Sequence, residues 1–181
     1  PFDLHVDRGE VVVVKGRSGS GKSTLLALVA GLCVPDGGTV IVDGAQPRVD
    51  MPWAKLAIVP QVLALATELS VRENITDSAP HSDDAHIDEL LVLLDLVEVT
   101  RRTITEISMG QQQRVAVARA IGVTPSLLLA DEPTSFQDSA HTSVVVAALR
   151  HAAVGGAGVL VATHDPAMIA AADRVLEVVA K

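Results

Sequence analysis

Gly16, Gly21, Lys22 and Ser23 stand at the spacing of a phosphate-binding loop: a glycine, four residues, then Gly-Lys-Ser. The full run is Gly16-Arg17-Ser18-Gly19-Ser20-Gly21-Lys22-Ser23, followed by Thr24. Glycines let a backbone turn with positive φ and come close to phosphate oxygens. Free N–H groups at a helix start then point at the anion. In this pattern Lys22 reaches the β- and γ-phosphates and the Ser23 hydroxyl ligates Mg²⁺. A second group is acidic. Leu127-Leu128-Leu129-Ala130 is an apolar run that ends in Asp131-Glu132. A carboxylate at the tip of a strand beside such a loop is where the metal is held. Asp131 is therefore expected on the metal, and Glu132 is expected to orient and polarise an attacking water.

Both groups need a scaffold that brings strand ends and helix starts to one edge. Short apolar runs alternate with helical patterns, which predicts an α/β domain with a mostly parallel sheet. The expected strands are 4–6, 10–15, 39–43, 56–59, 127–130, 159–162 and 175–179. An antiparallel β part is expected near the N-terminus. The expected helices are 22–30, 84–97, 111–121 and 139–153. Helix 84–97 rests on the 3.6-residue recurrence of Ile87, Leu90, Leu91, Leu94 and Val97. Residues from about 62 to 107 carry helical but little strand signal and are expected to form a small helical arm on the core.

Bulk properties narrow the function. At 49% hydrophobic and 2% aromatic, the chain can build a core from Val, Leu, Ile and Ala. A net charge of -8 argues against a general nucleic-acid surface. The single cysteine, Cys33, excludes an internal disulfide, suits a reducing compartment, and is expected to be buried beside the first helix. No apolar run approaches the roughly 18 residues of a membrane span. The chain opens Pro1-Phe2-Asp3, with neither a Met nor a signal peptide, and reads as a single domain, 1–181, excerpted at both ends from something longer. His81, Asp83, Asp84 and His86 have metal-ligating types, but their setting reads as a solvated loop and helix cap.

The remaining motifs make nearly the whole chain resemble the ATP-binding-cassette (ABC) ATPases. In order they are the P-loop Gly16 to Thr24, a Q-loop glutamine at Gln61, a signature segment Ile107-Ser108-Met109-Gly110-Gln111, the acidic strand end Asp131-Glu132, a D-loop Ser135-Phe136-Gln137-Asp138, and a switch histidine at His164. The resemblance implies a P-loop NTPase core, ATP and Mg²⁺, and an ATPase driving a membrane permease. It implies that two such domains pair head to tail. Ser108, Gly110 and Gln111 of one would then meet the ATP held on the P-loop of the other, and Asp138 would connect the two sites. Gln61 would link Mg²⁺ and the attacking water to the helical arm, and His164 would hold the γ-phosphate and Glu132 in register. The permease would place the chain at the cytoplasmic face of the cell membrane, docked beside Gln61 where Val62, Leu63 and Leu65 offer apolar surface. The alternative, of equal weight, is that those three are core of the arm.

The chain departs from the family pattern at several points. Met109 replaces the first of two signature glycines, and Gln137 replaces the D-loop leucine. Both changes are expected to slow hydrolysis or loosen the dimer without abolishing ATP binding. The aromatic residue that stacks on adenine is not evident: the chain has no Tyr, and Phe2 lies too close to the P-loop. Leu129-Ala130-Asp131-Glu132-Pro133-Thr134 and Thr163-His164-Asp165-Pro166 look most like the lipoprotein-releasing and macrolide-exporter ATPases, while Pro133-Thr134-Ser135 is equally like amino-acid importers. Two other classes stay in view. A DNA-maintenance or translation ABC ATPase disagrees with the short, heptad-free gap from Lys22 to Ser108 and the acidic balance. A cassette that only binds ATP disagrees with Glu132 and His164.

Overall fold

A computed structural model of the chain describes residues 3–17, 19–80 and 82–178. Its centre is a parallel sheet of five strands, β1 (Val11–Lys15), β2 (Leu56–Val59), β3 (Leu127–Asp131), β4 (Gly158–Ala162) and β5 (Arg174–Glu177), in the order β2-β3-β4-β1-β5. The register runs Val11 to Val159 and Val12 to Arg174 on the two sides of β1, and Leu127 to Gly158 and Leu56 to Leu127 on the two sides of β3. Side chains alternate between the faces of a strand. Val11 and Val13 thus face one apolar core, while Val12 and Val14 face another. All four are wholly buried. A parallel sheet covered on both faces needs such continuous apolar strands.

Helices cover the sheet unequally. On the Val12 face lies α1 (Lys22–Val29), which buries Leu26 and Val29 against Leu129, Leu160 and Ala162. The Val11 face carries α2 (Val71–Ser78), α3 (Asp84–Leu93), α4 (Met109–Gly122), α5 (Ser139–Val154) and α6 (Pro166–Ala170). Helices α2 and α3, with single 3₁₀ turns at Val97–Val99 and Ile104–Glu106, occupy the stretch expected to be a helical arm.

Five expected elements differ. Residues 4–6 and 39–43 form no strand. No bridge joins them; the antiparallel bridge of Val42 with Ala45 closes a local turn at the end of the second segment. Both segments instead flank a cleft of about 790 Å³, floored by Leu25, Val29, Leu127 and Leu160, so neither lies alongside the other to build a ladder. The third helix stops at Leu93, four residues early. Asp95 takes a left-handed φ of 51°, the Leu96 N–H reaches back to the Leu91 carbonyl at 2.8 Å, and the Asp95 N–H reaches the Val92 carbonyl at 3.1 Å. That pair of bonds closes a helix with a Schellman turn. Leu94 and Leu96 still enter the core, which is why the apolar period runs on past the helix end. Helix α4 begins two residues earlier than expected, so Met109 and Gly110 are its first two residues. The last strand ends at Glu177; Val179, Phe2, Ser18 and His81 lie outside the described residues. Cys33 is exposed rather than buried, because it falls after the helix end at Ala30 and Gly31.

Candidate nucleotide site

The glycine loop leaves β1 and enters α1 through Gly21 in the left-handed region, at φ 96°. A glycine is needed there, and again at Gly19 with φ 78°. Gly16 has a different reason. A Cβ on it would lie 2.5 Å from the Val178 carbonyl oxygen and 2.4 Å from Ser20 Oγ. Lys22 Nζ folds across the loop and donates to the carbonyls of Gly16 at 2.9 Å and Arg17 at 3.4 Å. Ser20 is buried, and its hydroxyl has no partner among the described residues. Ser23 and Thr24 are exposed in the first turn of α1.

The start of α1 differs from every other described α-helix. Ser70, Asp83, Ser108, Asp138 and Asp165 cap α2 to α6 with their side chains, whereas α1 has no side-chain cap and no acidic residue in its first turn. Its free N–H groups and the positive end of its dipole therefore remain open to an anion.

The acidic strand end sits on the same edge of the sheet. Asp131 closes β3 in register with Ala162. Glu132 follows at φ 48°, its N–H bonded to the Ala162 carbonyl at 2.8 Å. A positive φ on a non-glycine residue costs on the order of 1–2 kcal/mol and persists only where surroundings enforce it. Here both carboxylate oxygens are held: Oε2 accepts from Thr163 Oγ1 at 2.8 Å, and Oε1 lies 3.0 Å from His164 Nδ1. Thr163 is wholly buried, and its hydroxyl also accepts the Asp165 N–H at 3.1 Å. The chain's own geometry thus joins Glu132 and His164. Thr163, which the sequence reading left without a role, holds the other oxygen; its only sequence signal is its place just before His164 at the end of β4.

The remaining expected residues lie apart from this centre in the single chain. Ser108 is the N-cap of α4 in a reciprocal capping box, accepting from the Gln111 N–H at 3.2 Å while the Ser108 N–H donates to Gln111 Oε1 at 2.9 Å. The Gln111 amide oxygen therefore serves the cap. Met109 is 49% exposed at the first helical position, where a helical backbone has no need of glycine. Its side chain restricts no loop; what it changes is the surface. Gly110 packs under the D-loop: a Cβ there would stand 2.9 Å from the Phe136 carbonyl oxygen. Asp138 caps α5, accepting the His141 N–H at 2.9 Å, with His141 Nδ1 2.8 Å from the same oxygen. These bonds, the backbone one first, hold its carboxyl below the ordinary aspartate range. Gln61 is exposed just after β2, with no hydrogen-bond partner among the described residues. Beside it Val62 is 84% exposed, while Leu63 and Leu65 pack on the core.

Among the described residues no cluster of three His, Cys, Asp or Glu side chains is placed to hold a metal alone, and no helix is long and apolar enough to cross a membrane.

Comparison with known proteins agrees with this layout. A family model described as ABC transporter matches residues 1–135. An ABC transporter ATP-binding protein of Mycobacterium bovis is 38% identical over 97% of this chain and 57% of its own length. The sulfate/thiosulfate import ATP-binding protein CysA of Synechocystis is 39% identical over 91% of this chain and 48% of its own length. The chain thus spans about half the length of these curated relatives. Among solved structures, a dimeric ATP-binding cassette in a post-hydrolysis state, bound to ADP and Pi, superposes with a TM-score of 0.84 at 29% identity, covering 97% of this chain and 83% of the other. With the phosphate loop, the acid-tipped strand and the capped signature helix all in one parallel-sheet domain, the chain belongs to the ABC transporter family.

Proposed function

We propose that residues 1–181 act as one ATP-binding-cassette unit that binds and hydrolyses ATP, works as half of a head-to-tail pair, and drives a membrane permease. The observation that carries this reading is the pairing of two features on one sheet edge. One is a glycine loop feeding the one α-helix start, among the described residues, that has no side-chain cap. The other is a carboxylate, Glu132, fixed through both oxygens by Thr163 and His164.

Each side chain then has a task. The N–H groups of the loop from Gly16 to Thr24 cradle the phosphates, and the orphan Ser20 hydroxyl gains an acceptor. Lys22 exchanges the Gly16 and Arg17 carbonyls for phosphate oxygens. Glu132 orients and polarises the attacking water, and His164, 82% exposed, faces outward to the γ-phosphate while tethered to Glu132. Without a ready cluster of three protein ligands, a magnesium ion would draw mostly on phosphate and water, with Ser23, Asp131 and Gln61 supplying the protein side. When bound it would neutralise charge on the β- and γ-phosphates. Ser108 and Gly110, at a helix N-terminus, would face the nucleotide of the second cassette. The permease would dock beside Gln61 on exposed Val62, placing the cassette at the cytoplasmic face of the membrane.

ATP turnover by the parent and by Glu132→Gln tests the reading. The variant is expected to keep ATP affinity and lose turnover by roughly a hundredfold or more, the usual worth of a positioned base. Equal rates in the two proteins would mean that the chain binds ATP without using Glu132 to hydrolyse it.

A further inference from the structure

The D-loop of this chain carries glutamine where its family carries leucine, and that amide is fully engaged. Gln137 Nε2 donates to the Gly110 carbonyl at 2.8 Å, and Gln137 Oε1 accepts from Arg114 Nη1 at 3.1 Å. The orientation is unambiguous chemically: a guanidinium only donates, so the amide oxygen must face Arg114 and the amide nitrogen must face the carbonyl. Arg114 is 4% exposed. Its Nη2 donates to the Asp95 carbonyl at 3.3 Å and lies 3.8 Å from the Asp95 carboxylate, which is also 3.4 Å from His141 Nε2, while its buried Nε has no partner among the described residues. His141 in turn holds Asp138. The D-loop backbone closes the same joint, since Phe136 carries φ 63° and its carbonyl lies against Gly110 so tightly that a Cβ would meet it at 2.9 Å. A leucine at 137 would leave both the Arg114 Nη1 donor and the Gly110 carbonyl without this partner in a largely buried place.

We propose that Gln137 is a positioning residue for ATP hydrolysis at the paired site: its amide pins the first turn of α4 to the D-loop, so that Ser108, Gly110 and Asp138 meet the second cassette as one rigid surface. Gln137 touches no nucleotide itself and acts through Gly110. The inference rests on the reading that Ser108 and Gly110 face the partner's nucleotide. It also accounts for the Gln137 departure in the direction opposite to the sequence expectation, as a tightening of the joint rather than a loosening.

Two halves of the amide can be separated. Gln137→Glu keeps an acceptor for Arg114 but has no donor for Gly110 and sets a charge against its carbonyl; Gln137→Met, of similar length, removes both bonds. In the full-length protein both variants are expected to lower kcat about tenfold and weaken ATP-dependent pairing. Fluorescent-nucleotide affinity of the unpaired cassette and the melting temperature of Gln137→Glu are expected to stay at the parental values. Parental kcat in Gln137→Glu overturns the proposal. So does a loss of kcat matched by equal losses in nucleotide affinity and melting temperature, which would mark a structural role only. Ser108→Arg is the control for the underlying reading: if it leaves turnover intact, the signature assignment fails, whereas loss in Ser108→Arg with parental Gln137→Glu sinks only the role of Gln137.

Discussion

At the scale of single residues, the chemistry was most legible where it demands one residue type. A glycine loop before a lysine and a hydroxyl has few other uses, and an acid at the tip of an apolar strand takes its meaning from standing beside such a loop. Thr163 escaped because its role comes from position, not type: it is buried at the end of β4, where one hydroxyl serves Glu132 and the Asp165 N–H together. Gln111 shows the converse. A Ser-x-x-Gln spacing is also a capping box, and the cap takes its amide oxygen. Thr163→Val keeps the shape and removes the hydroxyl. It is expected to cut kcat about tenfold, the loss of one charge-assisted hydrogen bond of about 1.5 kcal/mol. Steady-state kinetics should show little change in KM, because the lost bond serves Glu132 and not the phosphate loop.

Elements were readable by period and misread at their ends. The strands 56–59, 127–130 and 159–162 matched within a residue because both faces of each are buried and their sequences are continuously apolar. Helix α2 went unplaced within the arm, although Ser70-Val71-Arg72-Glu73 is a capping box that marks its start. Segments 4–6 and 39–43 have strand composition, but pairing is a property of neighbours, and these two border a cleft. Helix α1 ends on a Schellman turn through Gly31, with the Leu32 N–H on the Ala27 carbonyl at 2.9 Å. Gly31 sits at φ 71°, and a Cβ there would be 2.7 Å from the backbone of Pro47 and Arg48. Gly31→Ala therefore meets both a left-handed backbone and a backbone clash. It is expected to destabilise the fold by about 2 kcal/mol or more, visible as a lower denaturant midpoint with an unchanged slope.

For the whole molecule, one carboxylate adds to the ladder that holds the edge strand β5 on β1. Asp173 Oδ2 accepts the Val11 N–H at 2.8 Å and an Arg150 Nη1 bond at 2.6 Å, joining the entry to β5 with the start of β1 and with α5. The Val11 N–H first, and then Arg150, hold its carboxyl below the ordinary 3.8. A depressed acid stabilises the fold fully above its unfolded value and loses that contribution as pH falls through the folded one. Asp173→Asn is thus expected to melt below the parent at pH 7, with the gap closing as pH drops under about 4. A constant gap across that range would mean the charge is not what matters. Family and fold class were legible at this scale because six short motifs share one order and spacing. The transport subgroup was not, because Pro133-Thr134-Ser135 is as like the amino-acid importers as the exporters.

The most direct measurement is sedimentation velocity of the full-length cassette carrying Glu132→Gln, with and without saturating ATP. ATP bound on the loop from Gly16 to Thr24 of one cassette and met by Ser108 and Gly110 of another should convert monomer to dimer, and Lys22→Ala should abolish the shift. A protein that binds ATP yet remains monomeric at every concentration would contradict the account.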